Sequence, residues 1–141
     1  MRKSFVMIFL LLLVASASVA STPLETLKAE AAKGVGGNVS VVDAEQDEEG
    51  LFVTCMKDGF SYQFTISSDM ESGVPEVRRL KVEGRQAEFF DAGVMGAKGL
   101  LVQLASDRSL VLLVVDASMS GKGVSLEFLR EVVGRMNLDL L

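Results

Sequence analysis

LFVTCMKDGFSYQFTIS, residues 51–67, decides the fold class of this chain. Its second half alternates strictly, with Phe60, Tyr62, Phe64 and Ile66 set against Ser61, Gln63 and Thr65. That is the two-residue period of a strand with one face on a core and the other turned away from it. Asp58-Gly59, between the two runs, supplies the residue types that accept the positive φ of a tight hairpin turn. Residues 51–56 and 60–67 are therefore expected to be antiparallel neighbours in a sheet.

The flanking segments extend the same reading. Residues 99–105 and 109–116 form a second expected hairpin across Ser106-Asp107-Arg108, and their nearly continuous apolar character predicts central strands buried on both faces. Residues 77–90 hold one or two strands broken near Gly84, after a polar, turn-rich stretch at 67–75 and before a loop with glycines at 93, 96 and 99. On the N-terminal side, residues 38–43 are rich in β-formers and DAEQDEEG, residues 43–50, reads as an acidic turn.

Two helices complete the order. Residues 24–33 place Leu24, Leu27 and Ala31 on one face, with Gly34-Val35-Gly36-Gly37 as the stop. Residues 126–136 place Leu126, Leu129, Val132, Val133 and Met136 on one face, with Ser125 as N-cap and Glu127 in the first turn. The expectation is an α+β fold: an antiparallel sheet of about five to six strands with an N-terminal and a C-terminal helix.

The front of the chain bears on compartment. Arg2 and Lys3, an uncharged apolar run at 5–14 and then small residues follow the order of a secretory signal peptide. Ten strongly apolar residues rise only ~15 Å as a helix, about half of a ~30 Å hydrocarbon core, so a membrane anchor is disfavoured. Ser18-Val19-Ala20 sets the expected cleavage before Ser21, leaving one domain over residues 21–141 in the periplasm or secreted. The signal carries two of the 14 basic residues and none of the 19 acidic ones, so the processed chain has a net charge of −7. That charge opposes nucleic acid and anionic membrane as generic partners.

Composition excludes whole classes of chemistry. The chain has no histidine and no tryptophan, a single tyrosine at Tyr62 and a single cysteine at Cys55. Histidine-assisted nucleophiles, imidazole general bases and histidine-based zinc or copper sites are thereby ruled out. Cys55 has no partner for an internal disulfide and sits in a strand-like run, so a buried structural thiol is expected.

Four motifs fail. Residues 116–123, DASMSGKG, carry aspartate where a phosphate-binding loop needs its first glycine and Gly123 where it needs a hydroxyl; the glycines of GVMGAKG, residues 93–99, precede no helix. The acidic turn puts Glu48 at the glycine position of an EF-hand and Thr54 at its closing glutamate. Met56, Met70, Met95, Met119 and Met136 are scattered rather than clustered as copper ligands would be. No cofactor and no metal are expected. Asn38-Val39-Ser40 matches a glycosylation sequon, meaningful only in a eukaryotic host.

The remaining candidates are basic. Arg78, Arg79, Lys81 and Arg85 form a local positive patch on an acidic chain. If Arg79, Lys81 and Arg85 share a face they would grip an acidic partner or anionic ligand; the alternative is an edge strand kept soluble by charge. Lys98, in the glycine-rich loop, joins them as a contact residue.

Over its C-terminal half, RRLKVEGRQAEFF, LLVQLASDRSLVLLVV and VSLEFLREVVGRMNLDLL, the chain resembles small exported bacterial proteins of unassigned activity. In that group a strand pair with a central glycine and two long apolar strands close on a terminal helix ending in an apolar–Asp/Asn–Leu turn, here Met136-Asn137-Leu138. The resemblance implies a bacterial envelope setting and supplies no catalytic residues. The expected function is a non-enzymatic binding or accessory domain that contacts an envelope protein or a small ligand. The alternative is a small hydrolase or lyase using Asp/Glu or Lys, which would gather such side chains in one deep pocket.

Overall fold

A computed structural model describes residues 22–68, 77–91, 96–118 and 123–141. The expected signal peptide, the residue at the expected cleavage point, residues 93–95 of the glycine-rich loop and Lys122 lie outside the described residues. The elements are α1 (Pro23–Val35), β1 (Ser40–Gln46), β2 (Leu51–Lys57), β3 (Phe60–Ser67), β4 (Val77–Val82), β5 (Arg85–Asp91), β6 (Lys98–Ala105), β7 (Arg108–Asp116), α2 (Leu126–Gly134) and a 3-10 turn at Leu138–Leu140. The architecture is α+β, with one open sheet in the order β1-β2-β3-β7-β6-β5-β4 and every neighbouring pair antiparallel.

Seven strands replace the expected five to six. The run at 77–90 is two strands, because Glu83 (φ 51°) and Gly84 (φ 75°) make the same two-residue left-handed turn as Asp58 (φ 53°) and Gly59 (φ 83°) between β2 and β3. The acidic stretch is also divided. Asp43 to Gln46 belongs to β1, and the turn is confined to 47–50, where the Asp47 carboxylate accepts from the backbone N–H groups of Glu49 and Gly50. The hairpin of β6 and β7 places β7 at the centre of the sheet.

The register sorts side chains onto two faces. One carries Val53, Cys55, Tyr62, Phe64, Ile66, Leu100, Val102, Leu110, Leu112 and Val114, which join Leu27, Ala31, Leu129, Val132, Val133 and Met136 in a single buried cluster. Both helices therefore cover this face, with α1 across β1 and β2, and α2 against α1 and β6. Thr22 caps α1 by accepting from Glu25 N–H, and Ser125 caps α2 by accepting from Phe128 N–H, as its sequence position predicts.

The two helices meet closely because of one glycine. Within the expected stop, Gly34-Val35-Gly36-Gly37, it is Gly36 (φ 84°) that ends α1. Gly34 lies within the last turn, where a Cβ would stand 2.9 Å from both Met136 Cγ and the Val132 carbonyl oxygen. The absence of a side chain is what lets the C-terminal segment seat on α1. Arg135 Nε then donates to the Gly34 carbonyl at 2.9 Å, and Lys57 Nζ donates to the Gly36 carbonyl at 2.7 Å.

Candidate functional site

The second face of the sheet carries no helix among the described residues. Rows of cross-strand partners cross it from edge to edge. One row is Arg79, Glu88, Leu101, Val111, Thr65, Phe52 and Glu45; the next is Val77, Phe90, Gly99, Leu113, Gln63, Thr54 and Asp43. Phe90 lies flat on Gly99, where a Cβ would come within 2.2 Å of the ring, so this glycine serves close approach of an aromatic side chain.

Between β4 and β7 the open face dips into a depression of about 370 Å³ lined by Arg79, Gln86, Ala87, Glu88, Leu101, Gln103 and Ser109. Its rim offers one guanidinium, one carboxylate, two side-chain amides and a hydroxyl over an apolar floor at Leu101. Such a set donates and accepts hydrogen bonds. General acid–base chemistry by paired carboxylates would need a second acid, and Glu88 is the single carboxylate of this lining. Among the described residues no three Cys, Asp or Glu side chains converge on a point where a metal ion could sit, and no described helix is long and apolar enough to cross a membrane.

The basic residues divide between the two faces. Arg79 and Lys81 are exposed and alternate onto the open face. Arg85 does not join them. It pairs with Val82 across the tight turn, and paired residues share a face, so its side chain goes to the helix side. There Nη1 donates to the Leu104 carbonyl at 2.8 Å and Nη2 pairs with the Asp139 carboxylate at 2.6 Å, tying β5 to the C-terminal turn. Lys98 is the first residue of β6 and pairs with Val114 and Asp91, also on the helix side. Arg78 occupies the helix side too, opposite Phe89. The strand itself is a sheet edge, as the charge reading anticipated.

Cys55 is fully buried on β2, and burial pushes its thiol up to about 11 from an ordinary 9.0. Burial also raises the neighbouring Tyr62 phenol, helped by the negative charge of Asp58, while Arg135 works against the shift. The unfolded thiol ionises near pH 9, whereas the folded one keeps its proton to about pH 11. The resulting stability is present in full below pH 9 and is lost as pH rises through that window. Native protein should therefore resist thiol reagents below pH 9 and react only on unfolding, with Cys55→Ala showing a shallower alkaline loss of melting temperature. Rapid labelling of the folded protein would show the thiol to be accessible.

Comparison of the chain with protein-family models, curated proteins and solved structures gave no match.

Proposed function

We propose that this chain is a non-enzymatic exported domain, periplasmic or secreted in a bacterial envelope, that binds a protein segment or a small anionic ligand through the β4 side of its open sheet face. The observation that carries the reading is the position of Arg79 at the rim of a depression furnished with Gln86, Gln103 and Ser109, with Lys81 two residues along on the same face. A guanidinium beside neutral hydrogen-bonding groups suits carboxylate or phosphate oxygens. A positive site on a chain of net negative charge also selects its ligand by location rather than by overall attraction. The signal-like front of the sequence and its resemblance to small exported bacterial proteins support the compartment.

The reading is tested with a fluorescent polyglutamate peptide as the anionic probe. Anisotropy should report binding that weakens steeply with salt, and Arg79→Glu with Lys81→Glu should lower affinity by roughly tenfold or more with an unchanged circular dichroism spectrum. Arg85→Gln tests the division of the basic residues, because it should leave the affinity unaltered while lowering the melting temperature. Equal binding by wild type and the double variant would remove the β4 face from consideration.

A further inference from the structure

The two edges of the sheet carry opposite charge on the same face. At one edge β1 presents Asp43 and Glu45 on the open side; at the other β4 presents Arg79 and Lys81. Within each pair the residues are two apart, one strand repeat. Six antiparallel steps separate β1 from β4, so the edge strands run in the same direction. None of the four side chains makes an ion pair among the described residues. Apolar exposure gathers at the acidic edge as well. Val41 is 37% exposed and Val42 54% on β1, and Met56, which pairs with Ser40, is 48% exposed; Leu140 is the only other large apolar side chain so exposed among the described residues.

We infer that a second copy of this chain sets its β4 edge beside β1 and continues the sheet, parallel, with the open faces on one side. This rests on the proposed role of Arg79 and Lys81 as ligand-contacting cations, and it names the acidic partner they meet. Equal spacing and equal strand direction bring Arg79 beside Asp43 and Lys81 beside Glu45 in a single register. An antiparallel docking would turn the second copy over and place Arg79 and Lys81 beside Val41, Ala44 and Gln46, the helix-side positions of β1, leaving Arg78 alone to meet the two acidic residues, one charge match in place of two. Like charge along an edge ordinarily prevents pairing between copies. Here the repulsion operates only between identical edges, β1 with β1 or β4 with β4, and selects the mixed contact. Docking also gives the outer backbone groups of both strands hydrogen-bond partners and takes Val41 and Val42 out of water. The contact is heterologous, so successive copies form a ring if the rotation closes and a filament if it does not.

The experiment is sedimentation velocity on the purified, processed protein over a range of concentrations, with two charge-reversed variants. Arg79→Glu/Lys81→Glu has two acidic edges, and Asp43→Lys/Glu45→Lys has two basic ones. Wild type should associate at low salt and dissociate at roughly 0.5 M salt, where the Debye length falls to about 4 Å. Each variant alone should be monomeric, and an equimolar mixture should associate again, because every contact in it joins an acidic edge to a basic one. Neutral variants, Arg79→Gln/Lys81→Gln and Asp43→Asn/Glu45→Gln, should each lose association alone and on mixing form a heterodimer that grows no further, because the mixture holds one native contact, the acidic β1 edge of the first with the basic β4 edge of the second. A monomeric wild type at low salt, or a mixture of the reversed variants that stays monomeric, overturns the inference. So does association that survives both reversals and is lost in Leu113→Lys, since that assigns the contact to the open face. Polyglutamate binding measured on the same samples separates the two readings. A monomer that still binds the peptide through Arg79 and Lys81 refutes only the self-association, whereas loss of both refutes the cationic site itself.

Discussion

Deleting residues 124–141 should abolish the cooperative thermal transition, and Leu129→Asp should come close to the same result. Val124, Leu129, Val132, Val133, Met136 and Leu138 are all buried in the one core cluster, with Leu126, Phe128 and Leu141 packed against it. At ~1.5–3 kcal/mol for each buried side chain, the six supply roughly 9–18 kcal/mol, an upper value because an unfolded chain is already partly collapsed. A domain of this size has a total stability of ~5–15 kcal/mol. Without the segment, Leu27, Ala31 and the helix-side residues of β6 and β7 would face water across most of the sheet. The single substitution acts by another route. A carboxylate at position 129 has no cation within the core to pair with and must either carry an uncompensated charge or unfold the seam around it. Circular dichroism with a melt decides both variants. A truncated protein that still melts cooperatively would show that the sheet and α1 hold themselves, and would free α2 to be an element offered to another protein.

How far this arrangement could be read from sequence varies with the physics behind each feature. The Asp58-Gly59 hairpin, the helix caps at Ser125 and the apolar stripe of α2 were legible because each is decided within a few residues by backbone sterics, local hydrogen bonds or period. The placing of Arg85 was in principle legible too. A two-residue turn at Glu83-Gly84 pairs Val82 with Arg85, and that pairing alone puts Arg85 on the core face, away from Lys81. What could not be read was set by distant parts of the chain. The β3–β7 contact joins strands about fifty residues apart and defines which edges remain open; no local pattern encodes it. The acidic run likewise disguised the second half of β1, since Asp43 and Glu45 belong to a strand whose open face, at a sheet edge, tolerates charge. The depression on the open face is a product of that register, and only its Arg79 had a sequence signal.

Glu30→Ala should destabilise the protein by about 2–3 kcal/mol. Leu27, Glu30, Ala31 and Gly34 form one helical stripe, and the structure buries all four. Glu30 is only 3% exposed. Its Oε1 accepts the backbone N–H of Asn137 at 2.6 Å, and its Oε2 meets Lys33 Nζ, on an exposed side chain, at 2.8 Å. The first contact fixes the chain where α2 has ended and the 3-10 turn begins, one residue after Met136 fills the space over Gly34. The second contributes little, because a lysine in water gives up hydration to make it. Hydrogen bonds to charged groups are worth ~1.5–3 kcal/mol, and alanine removes this one while leaving the Asn137 donor unpaired in a partly buried seam. Glu30→Gln retains an acceptor for Asn137 and loses only the charge, so it should cost markedly less; Lys33→Ala should be nearly neutral. Urea unfolding gives the order of the three variants, and amide hydrogen exchange at Asn137 reports the bond itself. Alanine and glutamine variants of equal stability would mean that the C-terminal turn is held by Gly34 and Met136 packing alone, with the carboxylate a passenger.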